Sequence, residues 1–294
     1  MQKANRTSAL LGLAAAALAA GCGGLRFFLA NAPAAFGAHE RIADLAYGGE
    51  PRQRLDIYKP AAPANARPVV VFFYGGSWTQ GRKRDYRFVG ATLAKNGFVA
   101  VIPDYRLHPD VRFPAFIEDG ARTVAWVEAH ARDYGGDPGR IVLLGHSAGA
   151  HIAAYLALDD RTLTAVDARP DAIRGFIGLA GPYALEPNSL VLNTIFADPY
   201  GPEDWQPVRF VDASAPPALL VHGRADRTVA LRHTEAMRDA LEKAGVPVET
   251  ELYDGASHTD LVAAFAPLAS GRLPVVERVT RFIESVASGP ELDR

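Results

Sequence analysis

The sequence predicts an α/β protein with a mostly parallel central sheet of about eight strands and helices on both faces. Strand-type and helix-type stretches alternate along nearly the whole chain, which is typical of parallel sheets. Several strand candidates are continuous apolar runs, such as Val-Val-Val-Phe-Phe at residues 69–73. Such runs indicate strands that are buried on both faces. With 49% hydrophobic residues among 294, the chain can bury a large core.

The predicted elements follow from these apolar runs and from the turn residues that bound them. The first two strands flank a Gly-Gly pair and predict a hairpin-like start. We find no internal repeat and no second domain, so the chain from residue 41 to residue 294 is expected to form one folded domain. The predicted strands are residues 42–47, 53–58, 69–73, 98–102, 140–144, 173–179, 217–221 and 246–253, and the predicted helices are 85–96, 115–134, 150–157, 231–244 and 273–286.

Residues 145–149 read Gly-His-Ser-Ala-Gly between an apolar strand and a run of helix formers. Strand, sharp turn and helix are the context that a nucleophile elbow requires. Glycines on both sides let the strand and the helix close tightly around a turn that strains the serine backbone. The hydroxyl of Ser147 then projects outward, and the helix N-terminus behind it favours developing negative charge. Ser147 is therefore the candidate nucleophile, and the backbone N–H of Ala148 is a candidate oxyanion donor.

A serine nucleophile needs a general base, and the base needs a group that fixes its tautomer. Asp226 follows the seventh predicted strand and His258 follows the eighth. Both are therefore expected at the carboxyl edge of the sheet, where ligands bind in open α/β folds. We predict His258 as the base and Asp226 as the acid that orients it. Asp254 is the alternative acid, and His222 and His233 are rival bases, although His222 ends a strand and is better placed to support the loop.

A glycine-bearing loop follows the third predicted strand directly, where residues 74–78 read Tyr-Gly-Gly-Ser-Trp. Glycines let a backbone approach a substrate closely. The spacing of Gly76 and Gly81 also occurs in phosphate-binding loops. Arg82 and Lys83 replace the Lys-Ser/Thr pair that such loops need, so we exclude a nucleotide phosphate site.

Together these motifs resemble the α/β-hydrolase carboxylesterases of the group that contains hormone-sensitive-lipase-like esterases, kynurenine formamidases and feruloyl-esterase-like hydrolases. In that fold the acid and the histidine follow the serine in this order. The resemblance implies the backbone N–H groups of Gly76 and Ser77 as further oxyanion donors. The group's motif is His-Gly-Gly-x-Trp, and Tyr74 stands here in place of its histidine. The resembling stretches span about residues 42–288 and are 55–60, 74–78, 104–107, 113–115, 136–138, 145–149, 222–229 and the segment around His258.

The resemblance implies hydrolysis of a small-molecule carboxylic ester through an acyl-serine intermediate, without a cofactor or a metal. Hydrolysis of a small amide on the same triad, as by a formamidase, is one alternative. A non-catalytic binding module of the same fold is an alternative of another class. His146 and His151 lie five residues apart, off a common helical face, so they do not have metal-ligand spacing. A formal net charge of −2 and the lack of a basic stripe with interleaved aromatics argue against nucleic-acid binding.

The N-terminus has the pattern of an export signal. Lys3 and Arg6 precede an uncharged, apolar run over residues 9–20, and small residues before a cut site complete such a signal. Cys22, the single cysteine, follows Leu-Ala-Ala-Gly, which resembles a bacterial lipobox. A single cysteine also excludes an internal disulfide framework.

We therefore expect residues 1–21 to be a signal peptide and residues 22–40 to be a lipidated N-terminus and spacer. The protein would be a bacterial cell-envelope lipoprotein, exported to the periplasm or the outer surface and held at the membrane through its lipid. Two alternatives remain open. Residues 8–25 are uncharged and long enough for an uncleaved membrane anchor, and a cut near Ala30 would release a soluble periplasmic or secreted protein.

Residues 182–215, between the sixth and seventh predicted strands, are predicted to form a short cap insertion. They carry five prolines and no clear periodicity, and a connection this long is usually functional or disordered. Their apolar residues, including Phe196 and Trp205, would be costly to leave in water, so we expect them to fold over the carboxyl edge. A cap this short favours short acyl esters, with Trp205 influencing the chain-length preference.

Overall fold

An eight-stranded sheet forms the centre of the structure, a computed structural model that describes residues 27, 30, 31, 39–62, 64, 66–267 and 271–288. The spatial order of the strands is β1-β2-β4-β3-β5-β6-β7-β8. The pairs β1–β2 and β2–β4 are antiparallel, and the other five pairs are parallel. The predicted fold class is thereby confirmed. The strands are β1 His39–Ala46, β2 Arg54–Pro60, β3 Arg67–Phe73, β4 Val99–Pro103, β5 Gly136–His146, β6 Ile173–Leu179, β7 Ala218–Gly223 and β8 Val248–Tyr253.

Both faces of the sheet are covered. Residues 69–73 of β3 are all 0% exposed, and because successive side chains of a strand point to opposite faces, helices must cover both. The helices are α1 Arg87–Lys95, α2 Ala115–His130, α3 Ala148–Leu158, α4 Asp160–Thr164, α5 Leu190–Ile195, α6 Pro202–Trp205, α7 Arg232–Lys243, α8 Asp260–Ala263 and α9 Val275–Ala287.

The cap segment differs from its expected irregular form, since it contains α5, α6 and a 3-10 turn at Pro207–Phe210. Helices of four to six residues are too short to produce a visible hydrophobic period. Their starts are fixed locally instead. Ser189 Oγ accepts from the Leu192 amide at 3.2 Å, and the Asp204 carboxylate accepts from the Gly201 amide at 2.8 Å.

The loops that carry the predicted site residues follow four parallel strands and lie at one edge of the sheet. β3, β5, β7 and β8 run in the same direction, so the loops that follow their carboxyl ends meet at that edge. These loops carry the Gly-Gly-Ser segment, the elbow, Asp226 and His258 respectively.

Cys22 and the predicted signal peptide lie outside the described residues. Part of the predicted spacer packs on the folded domain, because the Phe27 ring contacts the Tyr86 ring at 5.2 Å. Asn31 also accepts from the Phe88 amide at 3.0 Å and donates to the Asp85 carbonyl at 2.9 Å. Within the described ranges, no helix combines the length and the apolar character needed to cross a lipid bilayer.

Candidate active site

Ser147 lies at the turn between β5 and α3 in a strained backbone conformation. Its φ of 54° and ψ of −121° are outside the regions that side-chain-bearing residues favour. A Cβ on Gly149 would lie 2.0 Å from the Phe73 carbonyl oxygen, and a Cβ on Gly145 would lie 2.2 Å from the Gly149 carbonyl oxygen. Only glycines therefore let β3, β5 and α3 approach this closely. The Ser147 amide donates to the Leu179 carbonyl at 2.9 Å, which anchors the turn to β6.

His258 and Asp226 are in direct contact. His258 Nδ1 lies 2.6 Å from Asp226 Oδ2, and the Asp226 side chain is only 1% exposed. The other oxygen, Oδ1, accepts from the amides of Thr228 and Val229 at 2.7 and 2.9 Å. Burial by itself would raise the pKa of Asp226, but the Val229 amide, His258 and the Thr228 amide hold it below its ordinary value. An ionised Asp226 keeps the Nδ1 proton on His258 and leaves Nε2 free to act as a base.

His146 links the elbow to the loop that carries His258. Its Nε2–H donates to the His258 carbonyl at 3.0 Å, and the two rings lie 4.7 Å apart. Burial and the neighbouring His258 lower the pKa of His146 to about 3, so it is neutral near pH 7. Because His146 immediately precedes Ser147, this contact ties the loop that carries His258 to the elbow. No pattern in the sequence indicates this role for His146.

The alternative acid and the rival bases have other partners in the structure. Asp254 is 93% exposed and pairs with Arg224 at 3.1 Å. His222 is fully buried, donates from Nε2 to the Val229 carbonyl at 3.1 Å and accepts from the Thr234 hydroxyl at 2.8 Å. It therefore supports the loop that carries Asp226, as its position at the end of a strand predicted. His233 is buried on the cavity wall, where burial and the nearby Arg232 lower its pKa to about 4.

The loop after β3 lies directly against the elbow. A Cβ on Gly75 would lie 2.9 Å from His146 Nδ1 and 3.0 Å from Ser147 Cβ. Gly76 and Ser77 both have positive φ, 137° and 51°, and the Gly76 carbonyl accepts from the Thr79 and Gln80 amides at 3.0 and 3.1 Å. These bonds hold the turn in a loop that lies against the serine at Gly75. Ala148 is the first residue of α3, where N–H groups have no partner within the helix.

Tyr74 holds this loop from behind through a network that the sequence analysis did not predict. Its hydroxyl donates to Asp104 at 2.8 Å and accepts from Arg52 at 2.8 Å. Arg52 also donates to the carbonyls of Gly81 and Tyr105 at 2.8 and 2.7 Å. The Tyr105 hydroxyl donates to the Tyr74 carbonyl at 2.7 Å. Tyrosine in the histidine position thus keeps the loop fixed, and its partners could not be found locally because they lie 22 and 30 positions away.

The oxyanion loop should respond to backbone changes rather than to loss of its hydroxyl. We expect Ser77→Ala to lower kcat for a short-chain ester by less than about threefold, because the donors are backbone amides. Gly76→Val should abolish most activity, since a Cβ there would lie 2.1 Å from the Gln80 carbonyl oxygen. The matched control is Gly49→Val, because a Cβ on Gly49 meets nothing within 4 Å. A large loss in Ser77→Ala at unchanged thermal stability would contradict the assignment.

A cavity of about 380 Å³ opens beside Ser147. The cap segment supplies one wall, which includes Leu185 and Leu192. Trp205 does not line the cavity but supports it from behind, because its Nε1–H donates to the Leu185 carbonyl at 3.2 Å and its ring packs 5.6 Å from Phe196. The expected influence of Trp205 on substrates would therefore be indirect. The remaining lining residues are Ser77, Trp78, Ala148, Pro182, Glu186, Asn188, Asp226, Arg227, Thr228, Val229, Ala230, Arg232 and His233.

Metal-ligating side chains do not converge here. In the part of the chain that the structure describes, no group of three or more His, Cys, Asp or Glu side chains could hold a metal ion. The chemistry that this arrangement supports is attack by an activated serine on a carbonyl, with backbone amides to receive the oxyanion.

Comparisons with known proteins find esterases among the proteins that are similar to this chain. Residues 55–174 match the BD-FAE family, and residues 192–288 match the prolyl oligopeptidase family. A probable isoprenylcysteine alpha-carbonyl methylesterase of Oryza sativa subsp. japonica is 32% identical over 81% of this chain and 61% of its own length. An isoprenylcysteine alpha-carbonyl methylesterase of Arabidopsis thaliana is 30% identical over 88% of this chain and 65% of its own. The chain thus spans slightly less than two thirds of the length of these curated relatives.

A solved esterase provides a structural comparison. A butyrate-bound esterase from Thermogutta terrifontis has a TM-score of 0.69 and 25% identity, covering 85% of this chain and 94% of the other. The chain thus has the α/β-hydrolase fold and is similar in sequence and structure to carboxylesterases of that fold.

Proposed function

We propose that this protein hydrolyses carboxylic esters through an acyl-serine intermediate. The observation that carries the proposal is the 2.6 Å contact between His258 and Asp226, on a loop that His146 ties to the elbow that carries Ser147. The three side chains then have the roles of nucleophile, base and orienting acid. The esterase names of the relatives support this reaction class.

The proposed reaction has two halves. In the first, Ser147 Oγ attacks the carbonyl carbon while His258 Nε2 takes its proton, and the amides of Gly76, Ser77 and Ala148 stabilise the oxyanion. The alcohol then leaves with the proton from His258, and the acyl group stays on Ser147. In the second half, water attacks the acyl-serine with His258 again as base, which releases the carboxylic acid and restores the hydroxyl.

The size of the cavity favours short acyl groups. At about 380 Å³ it lies near the lower end of the range for ligand sites. Leu185 and Leu192 of the cap narrow it beside Ser147. Each further methylene gains about 0.8 kcal/mol only where apolar wall remains to bury it. We therefore propose a preference for acyl chains of roughly two to six carbons.

A panel of 4-nitrophenyl esters of rising acyl length, with a matched anilide, tests both parts of this proposal. We expect kcat/KM to peak at roughly two to six carbons and to fall for longer chains, because the cavity has no apolar surface left to bury further methylenes. Leu192→Ala should widen the cavity and move the peak towards longer chains. Leu190→Ala is the matched control, since Leu190 lies on the same helix, is 87% exposed and does not line the cavity. Long-chain preference, or faster cleavage of the anilide than of its ester, would contradict the proposal.

We further propose that the protein is an exported lipoprotein anchored through Cys22. The support is the sequence pattern alone, a charged start and an apolar run ending at the single cysteine. In a bacterial host, the wild-type protein should sediment with membranes and incorporate a labelled fatty acid, and Cys22→Ala should lose the label. A wild-type protein found in the soluble fraction without label would overturn the lipid anchor.

A further inference from the structure

Two arginines lie on the wall of the cavity that contains Ser147. Arg227 lies in the loop between β7 and α7, and Arg232 is the first residue of α7. Both are exposed, and neither side chain forms a hydrogen bond or an ion pair with any residue that the structure describes. Two other arginines of this region are paired, Arg224 with Asp254 at 3.1 Å and Arg238 with Asp239 at 2.6 Å. The cavity therefore presents cations whose guanidinium donors are free.

The position of Arg232 does not favour the helix that carries it. The N-terminus of a helix has a partial positive charge, so a cation in the first turn is unfavourable there. Glu235 is the acidic residue of the first turn of α7, where negative charge is favoured. Arg232 places a cation in the same turn, where positive charge is disfavoured. A residue that breaks a local rule without gain in the fold is a candidate for function.

Two acidic side chains share the cavity lining with the two arginines, and one of them is already engaged. The Asp226 carboxylate is engaged by His258 and two backbone amides. His233 is neutral near pH 7, because burial lowers its pKa to about 4. Glu186 is the one other acidic residue that lines the cavity. The formal charges of these four side chains therefore balance, but Asp226 is committed to its own contacts, so Glu186 is the one acid of this lining left to face the two arginines.

We propose that Arg227 and Arg232 form a carboxylate-binding subsite, so that the preferred esters of this enzyme carry a free carboxylate group. The proposal rests on the ester hydrolysis proposed above. An arginine guanidinium presents several donors in a planar fork that matches a carboxylate. In a cavity this small, a single small substrate can reach the serine with its ester and the arginines with its carboxylate.

Matched pairs of esters, in which one member carries a carboxylate and the other is neutral, test the subsite. One pair places the carboxylate on the alcohol, 4-acetoxybenzoate against 4-acetoxybenzamide. The other places it on the acyl group, the mono-4-nitrophenyl ester of adipic acid against 4-nitrophenyl hexanoate. We expect wild-type kcat/KM to favour the anionic member of at least one pair, with a preference that declines as salt is added, because exposed charges are screened. An R227Q/R232Q double variant should lose about tenfold of that preference.

Two further variants separate charge from general damage. Arg238→Gln removes a cation from the exposed surface of α7 outside the cavity and should leave the preference unchanged. Glu186→Gln removes the opposing charge and should raise the preference for the anionic ester. The proposal is overturned if wild-type protein does not discriminate within either pair, or if R227Q/R232Q keeps the wild-type preference.

A binding measurement distinguishes failure of the subsite from failure of the proposed reaction. The Ser147→Ala protein is titrated by calorimetry with 4-acetamidobenzoate and with 4-acetamidobenzamide. Tighter binding of the carboxylate, lost in the same protein with R227Q/R232Q, supports the subsite even if no ester is hydrolysed. Adipate monoamide against hexanamide repeats the comparison for the acyl side, and equal binding within both pairs overturns the subsite even if neutral esters are hydrolysed well.

Discussion

Replacing the candidate nucleophile, Ser147→Ala, should lower kcat for a short-chain ester by on the order of 10⁴-fold or more, and His258→Ala should do the same. The losses are similar because nucleophile and base act as one unit, and neither is effective alone. Residual activity would come from the oxyanion amides and from substrate binding. The measurement is steady-state hydrolysis of 4-nitrophenyl acetate with the uncatalysed rate subtracted.

The serine replacement has a matched control and a chemical test. Ser214→Ala removes an exposed hydroxyl that donates to Asp212 and does not line the cavity beside Ser147, so activity should be unchanged. A phosphonate ester should label wild-type protein on the peptide that contains Ser147, because the oxyanion amides stabilise the tetrahedral adduct. Near-normal turnover by Ser147→Ala, or labelling on another peptide, would disprove the assignment.

Replacing the orienting acid, Asp226→Asn, should lower kcat by roughly 10³- to 10⁴-fold, a loss that is large but smaller than that of the serine. The Oδ1 position accepts from the amides of Thr228 and Val229. An asparagine would keep its oxygen there and turn its NH₂ towards His258 Nδ1. His258 would then carry its proton on Nε2, where it cannot accept the proton of Ser147.

Asp254→Asn is the matched comparison for this acid. Asp254 is almost fully exposed and pairs with Arg224, so its replacement should change kcat little. Thermal unfolding of both variants shows whether either loss reflects damage to the fold. Near-normal turnover in Asp226→Asn together with a large loss in Asp254→Asn would transfer the role to Asp254.

The central elements of the fold could be predicted because their signals are local. Continuous apolar runs such as residues 69–73 indicate doubly buried strands, and glycines around Ser147 indicate a tight turn between strand and helix. Once strands are parallel, residues just after their carboxyl ends must share an edge. That geometric rule alone brings Asp226 and His258 to the edge that carries the serine.

The sequence by itself thus determined the sheet, the elbow and a short set of partners for the serine. Only the tertiary structure decided that Asp226, rather than Asp254, contacts His258, because loop conformation sets which carboxylate faces the ring. It also decided the hydrogen-bond network of Tyr74, Arg52 and Asp104, because these residues come from separate elements of the chain. Hydrophobic periodicity and turn-forming residues determine structure over a few neighbouring residues, so they are visible as a pattern in the sequence. Contacts between distant loops leave no such pattern, because they depend on how whole elements pack.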